Sequence, residues 1–296
     1  MERKKFIPDK NWAETHFETI RDELGLDTPY TFQELRSLLR EHRRSWQVPK
    51  HYHYELIVDE LCGKKLLHKA RVGPTTLYIS GEPSPYQVAN ALHHNAYFCH
   101  FTAAYILGLT LNIPKTIYVN REQSDKGVRS TSVTLEQTAV DAAFKKERRF
   151  TSRQFQYQKN LIVFLNGKHT GNAGVVEVDF EGSSLRVTGT ERTLLDMVVH
   201  PEYSGGVYQV MEAFERAKDK LSVPKLSALL RHLDYIYPYH QSVGFYLEKA
   251  GFADSILKRF ERPGFTIDFY LARGMGSPVY DSRWHLFVPM GMEILR

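Results

Sequence analysis

Cysteine is scarce in this chain of 296 residues. Cys62 and Cys99 stand alone, in no Cys-x-x-Cys spacing, which excludes a disulfide scaffold and a zinc ribbon. Long apolar runs are missing as well. A membrane helix needs about 20 apolar residues, and the most apolar stretch, Phe98 to Leu111, is shorter and broken by His100 and Thr102. Met1 to Pro8 contains no apolar signal region, so no secretory leader is expected and a reducing cytoplasm is the expected compartment. A strong excess of one charge is also lacking. Lys and Arg number 39 against 34 Asp and Glu, and the resulting +5 is too small by itself to name a polyanionic partner.

What is present is core-forming material: 42% hydrophobic residues, 17 Phe and 17 Tyr, well outside the disordered range. The length exceeds one ordinary core, so two domains are expected. The predicted fold class is α+β: a winged helix-turn-helix over residues 1–80, a linker at 81–85 and a larger mixed domain over 86–296.

The first section carries three helical patterns. Ala13, Phe17, Ile20 and Leu24 form one apolar stripe, ended by Gly25. Thr31 to Glu34 spells a capping box that opens a second helix burying Phe32, Leu35, Leu38 and Leu39 and ending near Trp46. Tyr54, Ile57, Val58 and Leu61 mark a third, stopped by Gly63. Leu66 to Val72, Gly73-Pro74 and Thr75 to Ser80 then read as strand, turn, strand. Gly81-Glu82-Pro83-Ser84-Pro85 reads as the linker.

Beyond it, strands are expected at Thr116 to Asn120, Leu161 to Leu165 and Val175 to Phe180. A second capping box, Thr188 to Glu191, should open a helix burying Leu194, Leu195, Val198 and Val199. Further helices should follow Gly205-Gly206 and Ser222-Val-Pro224, and Phe265 to Leu271 with His285 to Val288 should close the chain as β structure.

The charge is unevenly placed. Arg36, Arg40, Arg43, Arg44, Lys50, Lys64, Lys65, Lys69 and Arg71 face only Glu41, Glu55, Asp59 and Glu60, so this stretch alone carries the whole chain's excess. The four arginines before Lys50 fit a solvated helix face. The DNA-binding candidates are Lys50, His51 and His53 at the start of the third helix, Lys64 and Lys65 after it, and Lys69, Arg71 and Thr75 on the hairpin. With a short tip at Val72 to Thr75, phosphate contact is the expected role. A second basic run, Lys145, Lys146, Arg148, Arg149, Arg153 and Lys159, interleaves with Phe150, Phe155 and Tyr157, a mixture suited to single-stranded nucleic acid or an acidic partner, or simply to a solvated segment.

Catalytic patterns are weak. Glu177 and Asp179 share a strand face as in metal-dependent nucleases, but Glu181 stands where such a site wants lysine, and a half-exposed strand explains the alternation more simply. Lys168 to Gly174 is Gly-rich, but a strand follows, so it reads as a loop. His51 with His53 and the pair His93-His94 diverge on a helix and do not converge on a metal. Both cysteines read as packing residues. No enzyme activity, cofactor or metal is expected.

Segment order is more specific than any single segment. Asn95-Ala-Tyr-Phe-Cys-His-Phe-Thr-Ala-Ala-Tyr-Ile-Leu-Gly-Leu-Thr110, Thr188-Gly-Thr-Glu-Arg-Thr-Leu-Leu-Asp196 and Pro201-Glu-Tyr-Ser-Gly-Gly206 together resemble the AbiEi family of antitoxins over nearly the whole chain. The resemblance implies a winged helix that represses its own toxin–antitoxin operon and a C-terminal domain that counteracts a nucleotidyltransferase-like toxin. It implies a type IV system associated with phage defence, with operator DNA and the toxin as partners. Without a long apolar run no membrane partner is expected, and a dimer on DNA stays open: paired half-sites are common for this motif, but no coiled-coil or dimer stripe is present. Thr188 and Glu191 would be caps, Leu194 and Leu195 core, and Gly205-Gly206 a helix start. The alternative reading is a stand-alone winged-helix regulator whose second domain senses a ligand or protein; a third is the nuclease using Glu177 and Asp179.

Overall fold

The computed structural model describes residues 11–93, 95–125, 127, 135–146 and 150–294. The chain is mixed α+β, with a helix-rich N-terminal part and a larger mixed part after it. It divides into two compact units, Met1–His94 with Gln154–Ile162, and Asn95–Arg153 with Val163–Arg296.

In the first unit, α1 (Trp12–Thr15) and α2 (Phe17–Leu24) take the place of one expected helix, broken at His16. Tertiary packing overrides the continuous stripe here: Trp12 is buried and stacks on buried Trp46, ring centroids 6.4 Å apart and nearly parallel. β1 (Thr28–Tyr30) was not expected, because a three-residue strand containing proline has almost no local signal. Pairing creates it: β1 lies antiparallel to β3 at a sheet edge, where Pro29 sits opposite Ile79. α3 (Phe32–His42) starts at the expected capping box, with Thr31 Oγ1 accepting from the Glu34 amide at 3.3 Å and Glu34 accepting from the Thr31 amide at 2.7 Å. α4 (Tyr54–Gly63) buries Ile57, Val58 and Leu61. β2 (His68–Val72) and β3 (Thr75–Ser80) form the hairpin, and the sheet order is β1-β3-β2.

The stretch 81–85 is tied down rather than loose. Asp27 accepts from the Glu82 amide at 2.6 Å, and Ser84 caps α5 (Pro85–Ala91) in a capping box with Gln87. Proline at the first helical position favours this start. α5 buries Tyr86, Val88, Ala89 and Ala91 and counts with the first unit, so the boundary between the units falls after it and not at the expected linker.

The second unit is built on a sheet and a helical layer. Its elements are β4 (Tyr97–Phe98), α6 (His100–Ile106), β5 (Thr116–Asn120) and α7 (Gln137–Lys145). β6 (Gln154–Tyr157) and the start of β7 (Asn160–Leu165) count with the first unit. β8 (Val175–Phe180) and β9 (Ser183–Thr188) make a hairpin, and the strand order is β6-β7-β5-β4-β9-β8. β4 pairs antiparallel with β5 and parallel with β9. Then come α8 (Thr190–Val199), α9 (Val207–Ala217), α10 (Val223–Leu233), α11 (Tyr239–Lys249) and α12 (Asp254–Glu261). β10 (Phe269–Tyr270), β11 (Pro278–Asp281) and β12 (Leu286–Pro289) form a small sheet of order β10-β12-β11.

α8 is buried on every side from Glu191 to Val198. A helix in that position must satisfy any charge it carries internally. Its start differs from the expected capping box. The N-cap is Gly189, because Thr188 is the last residue of β9 and its hydroxyl meets that of Thr193 at 2.8 Å. Glu191 instead accepts from the Ser222 amide at 3.1 Å and pairs with Lys225 at 2.8 Å, tying α8 to the start of α10. Leu194, Leu195 and Val198 are buried as expected, with Val199 only partly so. No helix among the described residues is long and apolar enough to cross a membrane.

Candidate functional site

Two regions carry the candidate side chains, one in each unit. In the first, Arg43 donates to the carbonyls of Pro49 (2.8 Å), Lys50 (3.1 Å) and Tyr52 (2.8 Å). It is thus a clamp on the turn that presents α4, not part of a solvated face. Arg36 lies over the Tyr54 ring at 5.0 Å, again bracing α4. The clamp leaves Lys50, His51 and His53 exposed where α4 begins.

The remaining candidates divide by pairing. Lys64 is bound by Glu14, and Lys69 by Asp59 of α4 at 2.8 Å. Lys65 and Arg71 are exposed, and Arg71 Nε donates to the Gly73 carbonyl at 3.3 Å. Thr75 is partly buried opposite Val72. Gly73 lies at φ +60°, and a Cβ there would overlap the ring of Phe155. The tip is packed against β6.

The second basic run is not one patch. Lys145 and Lys146 at the end of α7 and Arg153 count with the second unit, while Lys159 counts with the first, and all four are exposed. Arg148, Arg149 and His94 lie outside the described residues. Of the interleaved aromatics, Phe155 packs at Gly73 and the Tyr157 hydroxyl lies 3.4 Å from the Pro83 carbonyl. Only Phe150 remains a largely exposed ring. Glu177 and Asp179 lie exposed on β8, opposite Arg186 and Ser184. Among the described residues, no group of three His, Cys, Asp or Glu side chains is placed to hold a metal ion.

The second unit contains a polar network that the sequence reading missed. Tyr97 and Asn120 are cross-strand neighbours on β4 and β5. Asn120 Nδ2 donates to the Tyr97 hydroxyl at 2.7 Å, and Asn120 Oδ1 accepts from the Gly167 amide at 2.9 Å. Tyr97 in turn donates to Glu122 at 3.0 Å. Glu122 collects the Thr170 hydroxyl and the amides of Thr170 (2.8 Å) and Asn172 (3.3 Å). Burial pushes the Glu122 carboxyl up, but these donors outweigh it and hold the group below its ordinary range. Arg192 completes the network, donating to Asp196 at 2.8 Å, the Ala173 carbonyl at 2.7 Å and Thr170 Oγ1 at 3.3 Å. Burial raises the Asp196 carboxyl while Arg192 opposes the shift.

These bonds fix the 166–174 loop beside a cavity of about 390 Å³. Lys168, Thr170, Arg192, Asp196, Phe150 and Tyr203 are among its walls. Lys168 Nζ has two long contacts, 3.4 Å each, to the carbonyls of Leu233 and Asp234. His100 and His200 face each other at 5.6 Å between ring centroids, both edge-on to Tyr203. Cys99 also borders the cavity, and burial pushes its thiol well up. One signal in the sequence pointed here: Arg192 and Asp196, opposite charges at i, i+4 in a helix whose Leu194, Leu195 and Val198 read as core.

Neither a family model nor a curated protein matches this chain. A solved structure, that of the RV2827C protein from Mycobacterium tuberculosis, is similar in fold, with a TM-score of 0.60 at 13% identity over 94% of this chain and 91% of that one.

Proposed function

We propose that this protein is a DNA-binding regulator of the AbiEi antitoxin kind, whose first unit is a winged helix-turn-helix and whose larger unit counteracts a nucleotidyltransferase-like toxin. The observation that carries the DNA-binding half is the order helix, strand, helix, helix, strand, strand with sheet order β1-β3-β2. In that arrangement α3 and α4 are the helix-turn-helix, α4 enters the major groove by its N-terminal end, and the β2–β3 hairpin is the wing. The Arg43 clamp supports this reading, because it holds the turn that aims α4. The antitoxin half rests on the resemblance of the Asn95–Thr110, Thr188–Asp196 and Pro201–Gly206 segments.

The pairing pattern narrows the DNA contacts. Lys50, Lys65 and Arg71 have no carboxylate partner among the described residues, so they are the phosphate-binding set; Lys64 and Lys69 are committed to Glu14 and Asp59. The test is fluorescence anisotropy with DNA from upstream of the coding sequence. Replacing Lys50, Lys65 and Arg71 by glutamate should abolish binding at moderate salt, while single alanine variants each reduce the salt slope by about 1. Unchanged binding by the triple variant refutes the assignment. The same full-length variant should still protect cells expressing the product of an adjacent toxin gene.

A further inference from the structure

We infer that the cavity in the second unit binds a small aromatic anion, a flat ring laid on Phe150 with one negatively charged group at Lys168. The inference is independent of DNA binding and concerns the second unit alone.

Charge comes first. Among the described residues, two cations line the cavity, Lys168 and Arg192. Arg192 is neutralised by Asp196 at 2.8 Å and also donates to the Ala173 carbonyl, Thr170 and the Tyr97 hydroxyl. Among the described residues, Lys168 has only its two 3.4 Å carbonyl contacts, longer than a good hydrogen bond to an ammonium. The described lining therefore holds one uncompensated positive charge, on a loop that the Glu122 and Asn120 bonds hold in place.

The ring requirement comes from Phe150. It is 66% exposed although it borders the cavity and meets Tyr203 edge-on, 5.7 Å between centroids. A bare phenyl ring backed by a buried tyrosine is a stacking surface. A volume of about 390 Å³ falls within the range of small-molecule sites. It is larger than a lone inorganic anion needs. Thr151 and Asn166 add hydrogen-bonding groups to the wall. Nucleoside monophosphates and aromatic carboxylates share this chemistry, and the experiment separates them.

Isothermal titration calorimetry of the full chain would use the four nucleoside 5′-monophosphates, indole-3-acetate and inorganic phosphate. At least one ring-bearing anion should saturate with a Kd below about 1 mM, and phosphate alone should bind at least about tenfold more weakly. Lys168→Ala and Phe150→Ala, both at exposed positions, should each weaken that ligand about tenfold or more, and Lys168→Arg should retain it. Thermal melting of each variant confirms that it is folded. Absence of saturable heat from every ring-bearing anion overturns the proposal. So does phosphate binding as tightly as the ring-bearing ligands, or affinity unchanged in either alanine variant.

Discussion

Arg192 Nε lies 2.8 Å from Asp196 Oδ1, one turn apart on α8, with side chains only 7% and 9% exposed. The pair is largely buried in the second unit, at the wall of the cavity, and Arg192 also bridges to the 166–174 loop. Removing one partner strands a charge, whereas removing both does not. Arg192→Leu should therefore lower stability by about 3–5 kcal/mol in urea unfolding. The double variant Arg192→Leu with Asp196→Leu should lose clearly less. Equal losses would show that the ion pair is not the reason.

Acid should loosen the same region through Glu122. Its folded pKa is held below the ordinary carboxylate value by the hydrogen bonds it accepts, so its stabilisation is present above that ordinary value and lost as pH falls through the folded pKa. Glu122→Gln should flatten the decline in melting temperature below about pH 4.5 and lower stability at neutral pH by about 1–3 kcal/mol. Melting curves across this window decide it; a variant with the wild-type acid profile removes Glu122 as the sensor.

Gly244 on α11 lies against Trp284, where a Cβ would overlap the indole. Alanine normally favours a helix over glycine by about 1 kcal/mol. Here the sign should reverse, with Gly244→Ala destabilising by about 1–3 kcal/mol. Denaturant midpoints give the sign directly.

The tip of the β2–β3 hairpin offers a coupled pair. Gly73→Ala should destabilise the first unit, since φ is +60° and the new Cβ meets the Phe155 ring. In a Phe155→Ala background the steric part disappears and only the conformational part remains, so a double-mutant cycle should show coupling of about 1 kcal/mol. Faster amide exchange confined to β2 and β3 would locate the effect.

DNA affinity should track pairing rather than the number of lysines. Lys65→Glu should weaken binding more than Lys64→Glu, whose ammonium Glu14 already occupies. Glu14→Gln should strengthen it modestly by releasing Lys64. Anisotropy titrations at two salt concentrations test both; equal effects at 64 and 65 would remove the distinction.

Local signals served the first unit well. The Thr31 capping box, the stripe of α4 and the Gly73-Pro74 turn each reside within a few residues, and each formed at its place. Where the reading departed from the structure, a distant partner had won. Thr188 was drawn into β9 by pairing with Val175, and Glu191 was turned toward Ser222 and Lys225. The basic clusters were visible as composition, but which lysines are paired depends on Glu14, fifty residues from Lys64.

The amino-acid sequence by itself determined the mixed fold class, the order of the first helices and the hairpin, and the uneven charge. These follow from periodicity, capping and turn chemistry, all short-range. Only the tertiary structure decided that β1 exists, that α5 belongs with the first unit, and that Arg43 holds a turn. It also brought Tyr97, Asn120, Glu122, Thr170, Arg192 and Asp196 into one network beside a cavity. Buried polar groups must find partners wherever the chain supplies them, and that search spans separations no local pattern records.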